Sequence, residues 1–228
     1  MIHWRLLPGE TTDLYSPIGL RPIDDFTGRP PIGAIEAFLD VGDGGGVWRN
    51  TERKAKVSLG GLLIYPGLER RAEVVGLPPR DYRVRLSASV YRPWYRLNSE
   101  GIEFEAFPHN DTNPPTDYRV NPPQVITPQA QDVKLAPAVN YPFPTYVRVL
   151  RGAIVDSVGL PVSDVEVKRG MTERALSDER GAYALPLRWT PDGVLVAIDA
   201  VDHRTGRMGT INITLPQALG SSQTITVS

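Results

Sequence analysis

Residues 151–167, RGAIVDSVGLPVSDVEV, and residues 176–185, LSDERGAYAL, decide the predicted fold. Each stretch places a tight-turn signal next to short apolar runs. In the first, Gly159 supplies the left-handed turn step and Pro161 fixes φ for the departing chain, so we expect Gly159 to have a positive φ. In the second, Asp178 and Gly181 mark a turn before an apolar run. The pattern predicts strands joined by tight turns.

Proline and glycine exclude a helical architecture. The chain of 228 residues contains 22 Pro and 21 Gly, which cost about 3 and about 1 kcal/mol each inside a helix. The longest stretches without either residue are Val47–Leu59 and Arg80–Arg92. We therefore expect far more strand than helix, and no helix longer than about three turns.

In residues 146–228 the spacing of candidate strands and turns is typical of a β-sandwich. Turn signals recur about every dozen residues between six candidate strands. These are Val147–Val155, Asp164–Lys168, Ala182–Leu187, Val194–Val201, Gly209–Leu215 and Gln223–Val227.

Residues 1–107 predict a second sandwich. The candidate strands are Ile32–Leu39, Lys56–Tyr65, Ala72–Leu77, Tyr82–Val90 and Ile102–Phe107. Residues 21–36, RPIDDFTGRPPIGAIE, echo residues 151–166 with a one-residue slip, because both place Asp, Gly and Pro in the same order before an apolar run. The echo indicates two related sandwiches.

A proline-rich connector, residues 108–145, lies between these regions. Nine prolines favour extended chain over a freely flexible linker. Apolar residues recur along it, and we expect them to be ordered and buried against the chain's own domains or a partner. They are Tyr118, Val120, Val125, Ile126, Val133, Leu135, Tyr141 and Phe143. The predicted fold is therefore all-β, with two Ig-like or transthyretin-like β-sandwich domains joined by a Pro-rich extended arm.

Charge and cysteine content exclude several function classes. The chain has 25 Lys and Arg against 26 Asp and Glu, a net charge of −1, so we expect no nucleic-acid partner. It has no Cys, which excludes disulfides, zinc–thiolate sites and iron–sulfur clusters. The start MIHWRLLPGE lacks an apolar signal region, and no apolar run is long enough for a membrane span. These features predict either a protein that is made and assembled in the cytoplasm or a secreted chain whose signal sequence has been removed.

No motif for catalysis or metal binding stands out. His3, His109 and His203 lie far apart in sequence, and no metal-ligand or nucleophile motif surrounds them. The sequence predicts solvated turns at Asp40–Gly46 and at Asp199–His203. We expect no catalytic residue, no cofactor and no metal site.

Aromatic residues are the candidates for a partner interface. Residues 91–95, YRPWY, and 141–144, YPFP, could pack in the core, contact a partner or stack on a sugar. The predicted interface residues are Tyr91, Trp94, Tyr95, Tyr118, Tyr141 and Phe143.

Residues 151–185 resemble the carboxypeptidase regulatory-like domain, a transthyretin-like sandwich without catalytic residues. The matching positions are Gly152, Asp156, Gly159, Pro161, Val165, Val167, Asp178, Gly181, Tyr183 and Leu185. The sequence departs from the pattern at 163–164 and at 189–193. The motifs lie in residues 151–185, and the resemblance extends over the whole region 146–228, about 80 residues. It implies a fold more than a function.

The chain as a whole resembles accessory proteins of tailed phages and contractile injection systems. The residues concerned are Asp24–Pro31, Leu77–Leu86 and Asn140–Gly152. The resemblance implies a non-enzymatic structural component of such a particle, at the baseplate, cap or tail tip, with other particle proteins and copies of itself as partners. The alternatives are a secreted adhesin or carbohydrate-binding module and, less favoured, a carboxylate-pair enzyme.

Overall fold

The computed structural model describes residues 2–7, 10–126 and 129–228. Strands account for 47% of the chain and helix for 4%, which confirms the predicted all-β class. The helices of the described residues are two short 3₁₀ turns, Trp94–Leu97 and Gln217–Gly220. None of them has the length and apolar character that a membrane crossing requires.

Twenty strands are described, numbered in chain order. The first ten are β1 (Ile2–Leu7), β2 (Glu10–Leu14), β3 (Ile18–Asp24), β4 (Ile35–Gly42), β5 (Trp48–Lys54), β6 (Lys56–Val57), β7 (Leu63–Ile64), β8 (Arg80–Ala88), β9 (Tyr91–Pro93) and β10 (Ile102–Ala106). The others are β11 (Thr116–Asp117), β12 (Gln124–Val125), β13 (Gln129–Pro137), β14 (Arg148–Asp156), β15 (Glu166–Arg169), β16 (Glu173–Leu176), β17 (Ala182–Leu187), β18 (Leu195–Val201), β19 (Met208–Thr214) and β20 (Gln223–Val227).

The chain divides into two compact units, and neither is continuous in sequence. Unit 1 comprises Met1–Pro22, Glu36–Leu86 and Gly101–Val133. Unit 2 comprises Ile23–Ile35, Ser87–Glu100 and Lys134–Ser228. The connector is thus divided at Val133, while the domain limits at 107 and 145 stay predictions.

Unit 1 is built around an antiparallel sheet in the order β10-β8-β4-β5. The β8 strand alternates as its sequence predicts, with Tyr82, Val84 and Leu86 buried. The short strand β7 pairs with β3 and β6, and β11 pairs with β12 as a small hairpin.

Unit 2 contains a sandwich of two sheets, β17-β14-β20 and β16-β15-β18-β19. The β14 strand pairs antiparallel with β17 and parallel with β20. Apolar side chains from both sheets form one core, which includes Leu150, Ile154, Val167, Leu185, Ile198 and Ile225. Segment Leu135–Pro137 of β13 pairs with β9 in the same unit.

The two turns of the sequence echo have related geometry. Gly28 and Gly159 have φ of 70° and 86°, as predicted for Gly159. The Asp156 Oδ1 atom accepts hydrogen bonds from the backbone N–H groups of Val158 and Leu160. In the first copy Asp24, one residue before the aligned Asp25, has the equivalent role. Both turns are therefore capped by an aspartate.

Replacing Gly159 with alanine is expected to destabilise unit 2 by about 1 kcal/mol. A Cβ at this position meets nothing within 4 Å, so the cost arises from the positive φ alone. Urea unfolding should show a lower midpoint at an unchanged slope. Gly220→Ala, where no positive φ and no close neighbour exist, serves as the control. Equal midpoints for the two variants would contradict the turn geometry.

Candidate interaction surfaces

Three of the six predicted interface residues meet in one aromatic cluster of unit 2. The rings of Tyr141 and Phe143 lie 4.7 Å apart between centroids, and those of Tyr91 and Tyr141 lie 5.5 Å apart. Phe26 joins the cluster by edge contacts with Tyr141 and Phe143. The connector residues Tyr141 and Phe143 therefore pack against a segment made early in the chain.

The Asp24 carboxylate binds two tyrosines of this cluster. Its Oδ2 accepts hydrogen bonds from the hydroxyls of Tyr141 at 2.8 Å and Tyr91 at 3.2 Å. Burial, followed by the bond to Asp24, raises the pKa of the Tyr141 hydroxyl well above its usual value. Because Tyr91 and Tyr141 are both buried, they offer a partner almost no surface.

The other three candidates lie apart from that cluster. Trp94 is half-buried, donates from Nε1 to Asp25 Oδ2 at 2.9 Å and stacks under the Arg174 guanidinium at 4.2 Å. Tyr95 is half-buried in a 3₁₀ turn. Tyr118 belongs to unit 1 and is 58% exposed, which makes it the most accessible of the six.

A buried ion cluster surrounds Asp164 in unit 2. Its carboxylate accepts hydrogen bonds from Arg92 Nη2 at 2.6 Å and from Arg96 Nε at 2.9 Å. Burial alone would raise the pKa of Asp164, but the two arginines outweigh it and the pKa lies below its usual value. Glu179, whose side chain is 70% exposed, accepts a further bond from Arg92. Asp164 and Arg92 are shielded from water, and their ion pair acts as a structural clamp.

One end of the unit 2 sandwich carries exposed apolar residues. The β15–β16 turn, the β17–β18 loop and the approach to β14 meet at this end. The exposed residues there are Tyr146, Met171, Trp189, Val194 and Leu195. Large apolar side chains grouped on a surface mark a site of interaction more often than single ones do.

A groove of about 150 Å³ opens beside Trp189. Its lining mixes aromatic and proline surface with charged side chains. The lining residues are Asp25, Phe26, Pro137, Thr172, Glu173, Arg174, Pro186, Arg188 and Trp189.

Unit 1 has its own ion cluster, formed by Asp40 of β4 with Arg83 and Arg85 of β8. Asp40 is buried and accepts hydrogen bonds from Arg85 Nε at 2.6 Å and Arg83 Nη2 at 3.1 Å. The bond from Arg85, more than any other contact, holds the pKa of Asp40 below its usual value. A shallow concavity of about 260 Å³ lies nearby, lined by Trp48, Asp81, Glu103, Phe104 and three glycines.

Several acidic residues and one histidine that could have been metal ligands make hydrogen bonds to nearby groups of the chain. Asp43 Oδ1 accepts from the N–H groups of Gly45 and Val47, and Asp202 accepts from Thr205 and Arg207. His203 Nε2 lies 2.9 Å from Glu166 Oε2. Among the described residues, no group of three or more His, Asp and Glu side chains is placed to hold a metal ion.

The comparisons with known proteins identify no family. No family model matches the chain, and no curated protein matches it. The resemblances to the regulatory-like domain and to phage-tail proteins therefore rest on the sequence motifs alone.

Three solved structures show a distant likeness. The TIE protein of Bacillus anthracis is 11% identical with a TM-score of 0.29, the alignment covering 95% of this chain and 33% of that one. BcpA, the major pilin subunit of Bacillus cereus, is 9% identical with a TM-score of 0.28, covering 92% and 68%. A C-terminal fragment of the pilus adhesin SpaC from Lactobacillus rhamnosus GG is 14% identical with a TM-score of 0.22, covering 92% and 95%. The chain spans about a third of the TIE protein, and at such TM-scores none of these likenesses assigns a function.

Trp189 and Met171 are the surface residues that sequence reasoning missed. Each stands alone in a loop, where an apolar residue gives no periodic signal. One signal was present: Trp189 falls at 189–193, where the chain departs from the regulatory-like pattern. An aromatic residue inserted into a loop of a sandwich is a reason to suspect a contact.

Proposed function

We propose that this chain is a non-enzymatic structural protein that acts through protein–protein contacts in a symmetric assembly. The observation that carries the proposal is the hairpin β11–β12 of the connector. Tyr118 and Val125 are 58% and 67% exposed there, and Val120 is also exposed. Apolar side chains exposed to water on a surface hairpin are suited to burial by a partner.

The hairpin is pre-organised for such a contact. The Arg119 guanidinium donates to Asp117 Oδ1 at 3.0 Å and lies 3.3 Å from Glu105 Oε2. The Tyr118 ring lies 6.0 Å from that of Phe107 between centroids. Prolines 122 and 123 stiffen the turn. A stiff hairpin loses little conformational entropy on docking, which favours association.

The finer proposal is a component of a phage tail or contractile injection particle, at the baseplate, cap or tail tip. It is supported by the sequence resemblance at Asp24–Pro31 and Asn140–Gly152. In this proposal the chain is assembled in the cytoplasm with other particle proteins and copies of itself. Particle symmetry would then repeat the hairpin contact, so that a weak single contact gives firm attachment.

A secreted adhesin or carbohydrate-binding module is the second candidate. The exposed Trp189 beside its groove favours it, because an accessible indole is a common surface for stacking.

The double variant Tyr118→Ser/Val125→Ser is expected to reduce incorporation into particles about tenfold or more. Removing two exposed apolar anchors weakens a partner contact without opening a cavity in this chain. Particles are purified on a density gradient from cells that make the protein, and its amount is read by immunoblot.

Val57→Ser/Leu59→Ser is the matched control, since both residues are exposed in unit 1 outside the hairpin. Both variants should keep the melting temperature of the parent. Equal incorporation of the hairpin variant would refute the proposed contact. If the parent protein is found in the cell envelope fraction and is absent from particles, the proposal of a particle component is refuted. That result would favour the adhesin.

A further inference from the structure

We infer that His109 forms an acid-sensitive latch, which fastens the start of the proline-rich connector to residues 69–71 of unit 1 and opens in mild acid. All the groups concerned belong to unit 1. The inference goes beyond the proposed assembly function, because it concerns how the connector is held and requires no partner. It assigns a role to a histidine that no sequence motif surrounds.

The latch is a short backbone pairing. His109 forms an isolated parallel bridge with Arg70. The His109 N–H donates to the Glu69 carbonyl at 3.0 Å, and the Arg71 N–H donates to the His109 carbonyl at 2.9 Å. Because the bridge lies outside the strands of the sheets, it can open without disrupting a sheet.

Two side-chain contacts lie beside the bridge, and both are exposed. Asn110 Nδ2 donates to the Ala72 carbonyl at 3.0 Å, and the Arg70 guanidinium pairs with Asp111 at 2.6 Å. The Asp111 side chain is 74% exposed, so water screens this ion pair and it contributes little. The buried part of the latch is therefore the His109 ring.

That ring is enclosed in its neutral form. His109 is 5% exposed, and its ring meets the Tyr15 ring edge-on with 5.3 Å between centroids. Nδ1 lies 3.1 Å from the Phe107 carbonyl oxygen, which can only accept, so Nδ1 carries the proton of the neutral ring. A second proton would enter at Nε2 and place a charge in this enclosed site, which is unfavourable.

The charged groups of the paired segment do not compensate for such a charge. The Arg70 guanidinium has the same sign as protonated His109 and disfavours it. Glu69 has the opposite sign, but its buried carboxylate already accepts hydrogen bonds from the Tyr82 hydroxyl at 2.5 Å and from Arg71 Nε at 2.9 Å. Its negative charge is thus already engaged by other partners.

Two further ionisable groups lie near the ring. Asp111 is paired with Arg70 and is largely exposed. Tyr15 stays neutral, because burial raises the pKa of its hydroxyl to about 12. Burial of the ring has the largest influence, and the pKa of His109 therefore lies below its ordinary value of 6.5.

Acid therefore favours the open latch. The closed latch keeps His109 neutral, whereas the open one lets the ring bind a proton at its ordinary pKa. Since the open state binds more protons, the latch is most stable above pH 6.5 and weakens as the pH falls from 6.5 towards the lowered pKa. Opening also lets Glu69 leave its strained φ of 61°. The hairpin β11–β12 begins soon after the latch, at Thr116, so opening loosens one end of its tether.

Nuclear magnetic resonance of the ¹⁵N-labelled full chain between about pH 7.5 and about pH 5 tests the inference. Titration of the imidazole should give His109 a pKa below 6.5. The amide protection factors of Arg71 and His109, whose N–H groups donate in the bridge, should fall about fivefold or more, with a limit of about thirtyfold for one histidine. Amides of β14, which is paired on both sides in unit 2, should keep their protection.

His109→Phe removes the titratable group and keeps a buried aromatic ring beside Tyr15. Its bridge amides should show protection that no longer depends on pH, whatever the absolute level. His203→Gln is the matched control, since His203 is a partly exposed histidine of unit 2 that contacts Glu166. It should respond to acid as the parent does.

The latch is refuted if His109 titrates at or above its ordinary pKa, or if the bridge amides of the parent keep their protection in acid. It is also refuted if β14 loses protection equally, if the fall persists in His109→Phe, or if His203→Gln abolishes the fall. Should His109→Phe fail to fold, the measurements on the parent still decide. None of these results bears on incorporation into particles, so the two proposals fail separately.

Discussion

Asp164→Asn is expected to lower the free energy of unfolding of unit 2 by about 3 kcal/mol or more. The Asp164 carboxylate is 1% exposed and is the buried counter-ion of Arg92 and Arg96. Removing one partner of a buried ion pair leaves the other charge desolvated, which costs far more than the pair contributes. Asparagine keeps the size and tolerates the positive φ of 57° at this position, so the change tests the charge. Chemical denaturation monitored by circular dichroism measures it.

Glu179→Gln is the control for this prediction. Glu179 contacts the same arginine at 2.7 Å, but its side chain is 70% exposed, so the expected loss is below about 1 kcal/mol. If both substitutions cost the same, the Asp164 cluster is not the buried clamp described above.

The effect of Asp164→Asn should also depend on pH. Because the pKa of Asp164 is lowered in the folded chain, its contribution is fully present above the ordinary carboxyl pKa of 3.8 and is lost as the pH falls through the folded value. The stability difference between parent and variant should therefore be constant near neutral pH and shrink in acid. A difference that grows in acid would reverse the assigned sign.

Gly152→Ala is expected to cost about 3 kcal/mol or more and to prevent cooperative folding of the sandwich. A Cβ at Gly152 would lie 1.8 Å from the Gln223 carbonyl oxygen and 2.6 Å from the Tyr183 hydroxyl oxygen. Relief requires β14 to move away from β20, which breaks the parallel pairing. Differential scanning calorimetry should show a large fall in the melting temperature or no transition for unit 2.

Gly220→Ala provides the comparison, because a Cβ at Gly220 would meet no other atom within 4 Å. It should melt with the parent. A Gly152→Ala protein that melts within about 2 °C of the parent would show that the strands can separate without cost.

The strands that sequence reasoning placed well are those whose turns carry a local signal. Predicted strand Gln223–Val227 is exact, and the turn at Gly159 has the expected positive φ. The prediction of Lys56–Tyr65 as one continuous strand was wrong, because the segment contains two short strands, β6 and β7, that pair antiparallel. Gly60 and Gly61 form a turn there, and Leu59 is fully exposed. Ala72–Leu77 is also not a strand, because its apolar residues lie in turns and coil.

The features that escaped prediction depend on partners distant in sequence. The sequence around Asp164 does not predict that Arg92, 72 residues earlier, will neutralise its carboxylate. The short strands β11, β12 and β16 have too few residues to show a period of two. The Trp189 backbone is likewise held by a carboxylate, Glu173, that lies 16 residues away in sequence.

The interleaving of the two units has a consequence for the nascent protein on the ribosome. Ile23–Ile35 is synthesised early, yet it belongs to a unit whose remaining strands leave the exit tunnel much later. The hydrogen bond from the Tyr141 hydroxyl to Asp24 cannot form until Tyr141, 117 residues further along the chain, has been synthesised. Until then Phe26 lacks Tyr141 and Phe143, the aromatic neighbours that it contacts in the folded protein. Ile23–Ile35 therefore stays accessible to chaperones until Lys134–Ser228, the last segment of its own unit, has been synthesised.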